Sequence, residues 1–518
     1  MTIRPLPPRL LVTLWALAAV LLAAGVWSAR AGAASQDTLT APAAVIQVDS
    51  VAGVADTAPL PQASEAGARA AQARADLDTP LHERLTSILG IGVMVLLAWL
   101  LSVNRSAFPV RIVAWGIGLQ LVFALLILRT APGEQFFALV NDAFIQLLDY
   151  TKAGARFIFG NLVDNNLPIG TPVGEPVSNA PIQPADPPRF AAAGSYFAFT
   201  VLPTIIFFSS FMTVLYYLRV MQWVVKGMAW VMQRTMGTSG AETLSASGNI
   251  FVGQTEAPLM IKPFVQKMTM SELHCVMTGG FATVAGGVMA AYVGMLVAYF
   301  PEIAGHLLAA SVMSAPAAIL ISKVMYPELE ESETKGTLKA DVPSPDVNVI
   351  DAAARGAGEG LTLALNVGAM LLAFIALVAL LNGVIGWLGG LVGWENLRLE
   401  LILGWLLAPL AWVMGVPWHD SVEIGSLLGI KTVLNEFVAY LQLAGSLQAG
   451  ATLEPRSVVI ATYALCGFAN FSSIAIQIGG IGGIAPARRS DLSRIGLRAM
   501  IGGTLAAFMT ATVAGANL

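Results

Sequence analysis

Two stretches of this chain place polar, solute-binding groups in apolar surroundings. Residues 248–264 read GNIFVGQTEAPLMIKPF, and residues 429–440 read GIKTVLNEFVAY. Each carries a carboxylate, Glu256 or Glu436, beside amide and hydroxyl side chains. A carboxylate at the centre of a bilayer costs about 2.5–3.5 kcal/mol on insertion scales, so it persists only where it meets a partner, an ion or a polar solute. Gln and Thr both donate and accept hydrogen bonds, whereas ionised Glu only accepts and so suits hydroxyl donors. Two such stretches imply a polar cavity. The plainer alternative is a structural ion pair of either glutamate with Lys262 or Lys431. Likewise, Asn470 could serve only as an interhelical hydrogen bond, worth about 0.6–2 kcal/mol in membranes.

The surroundings are a membrane. The chain of 518 residues is 56% hydrophobic and 12% charged, against about 25% charged for an ordinary soluble domain. Its mean hydropathy is +0.71. Apolar runs long enough to cross about 30 Å of hydrocarbon recur, and alternating ten-residue strands do not, which gives an all-α integral membrane protein. A net charge of −4 offers nothing to nucleic acid. Cys275 and Cys466 lie in apolar segments and read as buried, inert thiols. An intramembrane enzyme would need a nucleophile with its base or a metal set. HExxH is absent and there are only four histidines, so an enzyme is not expected.

Taken in order, residues 1–34 have Arg4 and Arg9, an apolar run and small residues ending near Ala31 and Ala33, the layout of a signal peptide or, if uncleaved, an N-terminal anchor. Residues 35–82 read as a flexible periplasmic linker. Spans are expected at about 84–103, 110–129, 193–217, 273–299, 303–325, 360–386, 456–481 and 495–514, eight in all. Residues 135–162 read as an amphipathic helix on the outer interface and 163–190 as a surface loop. Basic residues at 219–234 and the segment 399–416 suggest interfacial helices. The short apolar arms around 240–266 and 419–445 read as re-entrant hairpins, which are tolerated only where protein or water covers them. Counting from a periplasmic start puts the loops holding Arg105, Arg111, Arg488, Arg489, Arg494 and Arg498 on the cytoplasmic side of a multi-pass inner-membrane protein. His419 reads as a boundary residue.

The two halves repeat. After the first hairpin comes Gly280-Phe281-Ala282 followed by Thr283, and after the second comes Gly467-Phe468-Ala469 followed by Asn470. One hairpin enters from inside and the other from outside, so the halves form an inverted pair, a pattern that points to a transporter site near the midplane.

The GQTEAP, NEFVAY and CGFANFSSI runs together resemble the concentrative nucleoside transporters, over residues 84–518. The resemblance implies a homotrimer whose protomers have scaffold and transport domains. It would import nucleosides by an elevator-type motion coupled to sodium or protons, with no other cofactor. It divides the chain into scaffold helices at 83–220, a first transport half at 221–326, a cytoplasmic loop and scaffold span at 327–390, and a second transport half at 391–518. Gln254, Thr255, Glu256, Val288 and Phe468 would meet the nucleobase, and Glu436, Asn470 and Ser473 the ribose. Sodium would sit on Asn249, Val252, Thr283 and Val284, the valines through their carbonyls; position 283 is Thr where Ser is also familiar in sodium-coupled members. A proton-coupled form, or a carrier of another small polar solute, is the alternative.

Overall fold

The structure is a computed structural model that describes residues 79–518, apart from 164–165, 173–181, 193–196, 336–345, 392 and 395–396. The expected signal peptide or anchor and most of the linker lie outside the described residues. The linker gives way to helix at Leu81.

The described chain is helical apart from one ribbon. Three helices open it: α1 (Leu81–Leu100), α2 (Val110–Arg129) and α3 (Ala131–Phe159), the last being the expected amphipathic helix. Thr130 starts α3 by accepting the Gly133 N–H at 3.1 Å, a side-chain N-cap. Within the expected surface loop, β1 (Asn166–Pro172) pairs antiparallel with β2 (Ile182–Ala192), an element that the Pro-rich composition concealed. Helices α4 (Phe197–Tyr217) and α5 (Val220–Met236) follow. α5 buries Met221, Val225, Ala229, Met232 and Met236 at helical spacing and leaves Trp223 exposed, as an interfacial helix should.

The first hairpin is α6 (Gly240–Gly248), a turn, a 3-10 turn at Ala257–Ile261 and the short α7 (Lys262–Val265). The expected span 273–299 is two helices, α8 (Met270–Ala282) and α9 (Gly286–Leu296), broken at 283–285. α10 (Ile303–Met325) crosses next. α11 (Val349–Leu391) has 43 residues, where the sequence suggested a span of 360–386. At 1.5 Å per residue it is about 65 Å long, roughly twice the hydrocarbon thickness, so its charged first turns extend the helix beyond the apolar window. α12 (Leu399–Val413) covers most of the segment 399–416. The second hairpin is α13 (Ser421–Val433) with α14 (Glu436–Gln448). The expected span 456–481 is likewise broken, into α15 (Pro455–Leu465) and α16 (Phe471–Ile484), before α17 (Arg489–Asn517) ends the chain.

Among the described residues, seven of the eight expected spans are by themselves long and apolar enough to cross a membrane. The eighth is the broken pair α15 and α16, with halves of 11 and 14 residues separated by the break at 466–470. The segments also divide by burial. The α8–α9 window is 94% buried and α10 89%, against 11% for α11, so the broken helices and α10 form the centre while α11 offers its apolar face outward. α4 and α11 pack on each other at close range, since a Cβ on Gly360 would lie 2.8 Å from Ile206 Cα. α1 packs on α17, and α2 on α10, rather than on α4 or α11.

Two of the basic residues expected on the cytoplasmic side bind backbone carbonyls of neighbouring elements. Arg111 donates to the Thr235 carbonyl at 3.0 Å, and Arg488 to those of Gln266 and Met268 at 3.0 and 2.6 Å. Near this end the base of the first hairpin is tied to α10. Capping boxes, Ser239 with Glu242 and Thr269 with Glu272, start α6 and α8. The wholly buried Lys323 ammonium lies 2.7 Å from Glu242 and 3.0 Å from Glu328, and donates to Ser271 at 2.9 Å. Removing one member of a buried ion pair strands the other. Lys323→Met is therefore expected to destabilise the fold by about 3–5 kcal/mol, read as a clear drop in melting temperature in detergent.

Candidate functional site

The two breaks meet at the centre of the molecule. The Phe468 N–H, in the second break, donates to the Thr283 carbonyl, in the first, at 3.2 Å. A Cβ on Gly467 would lie 2.8 Å from the Phe281 carbonyl oxygen, so glycine is what allows the two GFA motifs to touch. The repeat noticed in the sequence thus marks a crossing of two unwound segments. Backbone so broken is tolerated at membrane depth only inside protein or beside water.

At that crossing, helix N-termini supply polar side chains. Asn435 caps α14 by accepting the Val438 N–H at 2.9 Å, which makes Glu436 the first residue of the helix. Asn470 caps α16 by accepting the Ser473 N–H at 2.9 Å. Its amide donates to Glu436 Oε2 at 3.0 Å, while the Tyr292 hydroxyl of α9 donates to Glu436 Oε1 at 2.9 Å. Ser473 then accepts from Gln254 Nε2 of the first hairpin at 3.2 Å. Glu436, Asn470, Ser473 and Gln254 are all buried, so the second hairpin, both broken helices and the tip of the first hairpin share one polar cluster. Each carboxylate oxygen of Glu436 has a lone pair beyond the one its protein donor uses.

The other expected base contacts fall around this cluster. Val288 is buried in α9 and Phe468 half-buried in the break. Thr255 packs against Gly480 of α16, where a Cβ would come within 2.7 Å of its methyl group. Glu256 lies outside the hydrogen-bonded cluster. Its exposed carboxylate accepts the Thr255 hydroxyl at 3.1 Å and faces Tyr216 of α4 and Glu359 of α11 within electrostatic reach. The reason is local. The tip turns tightly, with the Glu256 and Ala257 N–H groups both donating to the Gly253 carbonyl, so neighbouring side chains leave in different directions.

Of the expected cation ligands, Asn249 is the most telling. It follows the last residue of α6, is fully buried, and neither its Oδ1 nor its Nδ2 has a protein partner. Ser245 Oγ, one turn earlier, is also without one. The C-termini of α6 and α8 end here at Asn249 and Thr283, and helix C-termini carry partial negative charge. Val284 is buried and Val252 half-buried beside them. Uncharged oxygens at helix ends are the donor set that suits a small hard cation, so these residues fit a bound sodium ion.

Among the described residues neither lysine forms a direct ion pair with Glu256 or Glu436, although Lys431 lies within electrostatic reach of Glu436. Lys431 is wholly buried and donates to the Ala464 carbonyl, near the C-terminal end of α15, at 2.7 Å; Lys262 is exposed. His419 is exposed and lies 3.2 Å from Glu454, in keeping with a boundary position. Both cysteines are free and buried. Two members of the cluster escaped the sequence reading. Tyr292 and Gln477 sit in apolar runs, and only the fold brings them to Glu436 and Gln254.

Three family models match the chain: Na+ dependent nucleoside transporter N-terminus over residues 89–162, nucleoside recognition gate over 198–299, and Na+ dependent nucleoside transporter C-terminus over 306–515. An uncharacterized transporter of Haemophilus influenzae is 44% identical over 436 residues, covering 83% of this chain and 97% of its own. The chain belongs to the concentrative nucleoside transporter family. Another member, sodium/nucleoside cotransporter 1 of Mus musculus, is 43% identical over 453 residues, 85% of this chain; those residues span 65% of the mouse protein, slightly under two thirds. Among solved structures, CNTnw in an inward-facing substrate-bound state matches with a TM-score of 0.74 at 42% identity, over 84% of this chain and 97% of that one. A variant of CNTnw in an outward-facing state matches with the same TM-score, identity and coverage. These named relatives are transporters, not enzymes.

Proposed function

We propose that this concentrative nucleoside transporter family member is a sodium-coupled symporter that imports nucleosides across the inner membrane. The observation that carries the reading is the buried cluster joining Gln254 of the first hairpin to Glu436 of the second through Ser473 and Asn470. A nucleoside has a base edge of donors and acceptors and a ribose diol. Gln254 and Thr255 suit the base, with Glu256, Val288 and Phe468 around it. Glu436, Asn470 and Ser473 suit the hydroxyls, because ionised carboxylate accepts from a diol without competing as a donor. Sodium takes Asn249 Oδ1, the Thr283 hydroxyl and the carbonyls of Val252 and Val284.

The motion is elevator-type alternating access in a homotrimer. CNTnw has been captured in inward-facing, outward-facing and three intermediate states, which supports such movement in a close relative. The α4–α11 pair forms the scaffold with its apolar face outward, and the buried, cross-bonded hairpins and broken helices travel with α10 and α17. Packing on α10 and α17 supports counting α1 and α2 with the moving body rather than with the scaffold expected over 83–220. The cytoplasmic side is the one where Arg111 and Arg488 gather, and the N-terminal segment lies in the periplasm.

Uptake of labelled uridine into proteoliposomes, with and without an inward sodium gradient, tests the proposal. Accumulation only with sodium is expected. Accumulation driven equally by a proton gradient would replace sodium by protons, and no accumulation of any nucleoside would overturn the substrate assignment.

A further inference from the structure

Gln477 of α16 is wholly buried and reaches the tip of the first hairpin. Its Nε2 lies 3.1 Å from the Met277 carbonyl of α8 and 3.1 Å from Gln254 Oε1. A backbone carbonyl can only accept, so the Gln477 atom facing Met277 has to be its NH2 group. The Gln254 atom that meets the same NH2 then has to be its carbonyl oxygen. Gln254 therefore turns its own NH2 toward the Ser473 hydroxyl, 3.2 Å away. One backbone carbonyl sets the polarity of the entire chain from Met277 through Gln477 and Gln254 to Ser473. Space for it comes from Gly280, the first residue of the first GFA motif: a Cβ there would lie 2.8 Å from Gln477 Nε2 and 3.0 Å from Gln254 Cβ.

We infer that Gln477 is a positioning residue that locks the Gln254 amide with its N–H toward the substrate. The site thereby favours nucleobases that present a carbonyl oxygen over those that present an amine at the same edge. This rests on the proposed role of Gln254 at the base. One hydrogen of Gln254 Nε2 is given to Ser473 and the other is left for a base acceptor, while Gln254 Oε1 is engaged by Gln477. Without Gln477, the Gln254 amide could rotate and serve either kind of base.

Uridine and cytidine make a matched pair, alike in sugar and differing by an oxygen or an amine at one ring position. Their equilibrium binding is to be measured on the purified full chain in sodium, for wild type, Gln254→Ala, Gln477→Met and the double variant. The wild type is expected to favour uridine about five- to tenfold, the scale of one neutral hydrogen bond. Gln477→Met should bring the ratio near one, chiefly by weakening uridine. The double variant should fall no further than Gln254→Ala, because Gln477 acts through Gln254. A merely structural role would lower both nucleosides together and multiply the losses in the double variant, and either result overturns the lock. So would a wild type without preference for uridine. Should Gln477→Met not fold, Gln477→Glu keeps the size and, ionised, can only accept. It should turn the Gln254 carbonyl outward and shift the preference toward cytidine; an unchanged preference overturns the lock. If Gln254→Ala leaves nucleoside binding untouched, or the wild type binds neither nucleoside, the proposed base site fails and the lock with it.

Discussion

Glu436→Gln is expected to weaken uridine binding about 10- to 150-fold, the equivalent of roughly 1.5–3 kcal/mol for a hydrogen bond to a charged group. The carboxylate stands between two donors, Tyr292 and Asn470, and can accept from both and from a ribose hydroxyl. An amide at this position has one NH2 group, and that group must face either Tyr292 or Asn470. Facing Asn470 it sets donor against donor, and facing Tyr292 it forces the hydroxyl to turn and accept. Either way the acceptor that suits the diol is halved. Packing volume is kept, but the wholly buried Lys431 loses the opposing charge of Glu436, so a modest fall in stability should accompany the loss of binding. Titration of the purified variant with labelled uridine, beside its melting temperature, separates the two effects. Binding within about twofold of wild type would remove Glu436 from the site.

The second large effect is expected at Asn249. Its amide is buried with both polar atoms lacking protein partners, so in the absence of sodium an apolar residue there should cost the fold little. In sodium the wild type should gain stability as RT ln(1 + [Na+]/Kd), about 2.7 kcal/mol at a hundred times Kd. Asn249→Leu should lose that gain while melting near the wild type in choline chloride. Thermal melts of both proteins across a sodium series, at constant ionic strength, give the answer. A sodium-dependent rise that persists in Asn249→Leu would move the ion elsewhere.

Much of this arrangement was legible in the residues because charge in an apolar run is rare and costly. Glu436 and Glu256 stood out for that reason, and both hairpins emerge close to their expected bounds. The paired GFA motifs were legible as a repeat but not as breaks. Hydropathy averaged over a span cannot register that the apolar residues Val284 and Ala285, or Cys466 and Gly467, have left the helix. The local clue was capping chemistry: an Asn or a Gly pair followed at once by a new apolar run, as at Asn470 and at Gly286. That Glu436 joins the buried cluster while Glu256 faces α4 and α11 depends on how the hairpin tip turns, which spacing alone does not state. Gln477 was invisible for a different reason. Its partner Gln254 is 223 residues away, and nothing in the run of small and apolar residues around it distinguishes a positioning amide from an ordinary interhelical one.

The central claim is that one nucleoside is held jointly by the two hairpins, between Gln254 and Glu436. A cryo-electron microscopy structure of the full chain in uridine and sodium tests it most directly. The account predicts a nucleoside with its base toward Gln254 and Thr255 and its ribose hydroxyls on Glu436 and Asn470. A nucleoside bound elsewhere, with the Gln254–Ser473–Asn470–Glu436 chain intact and untouched, would contradict it.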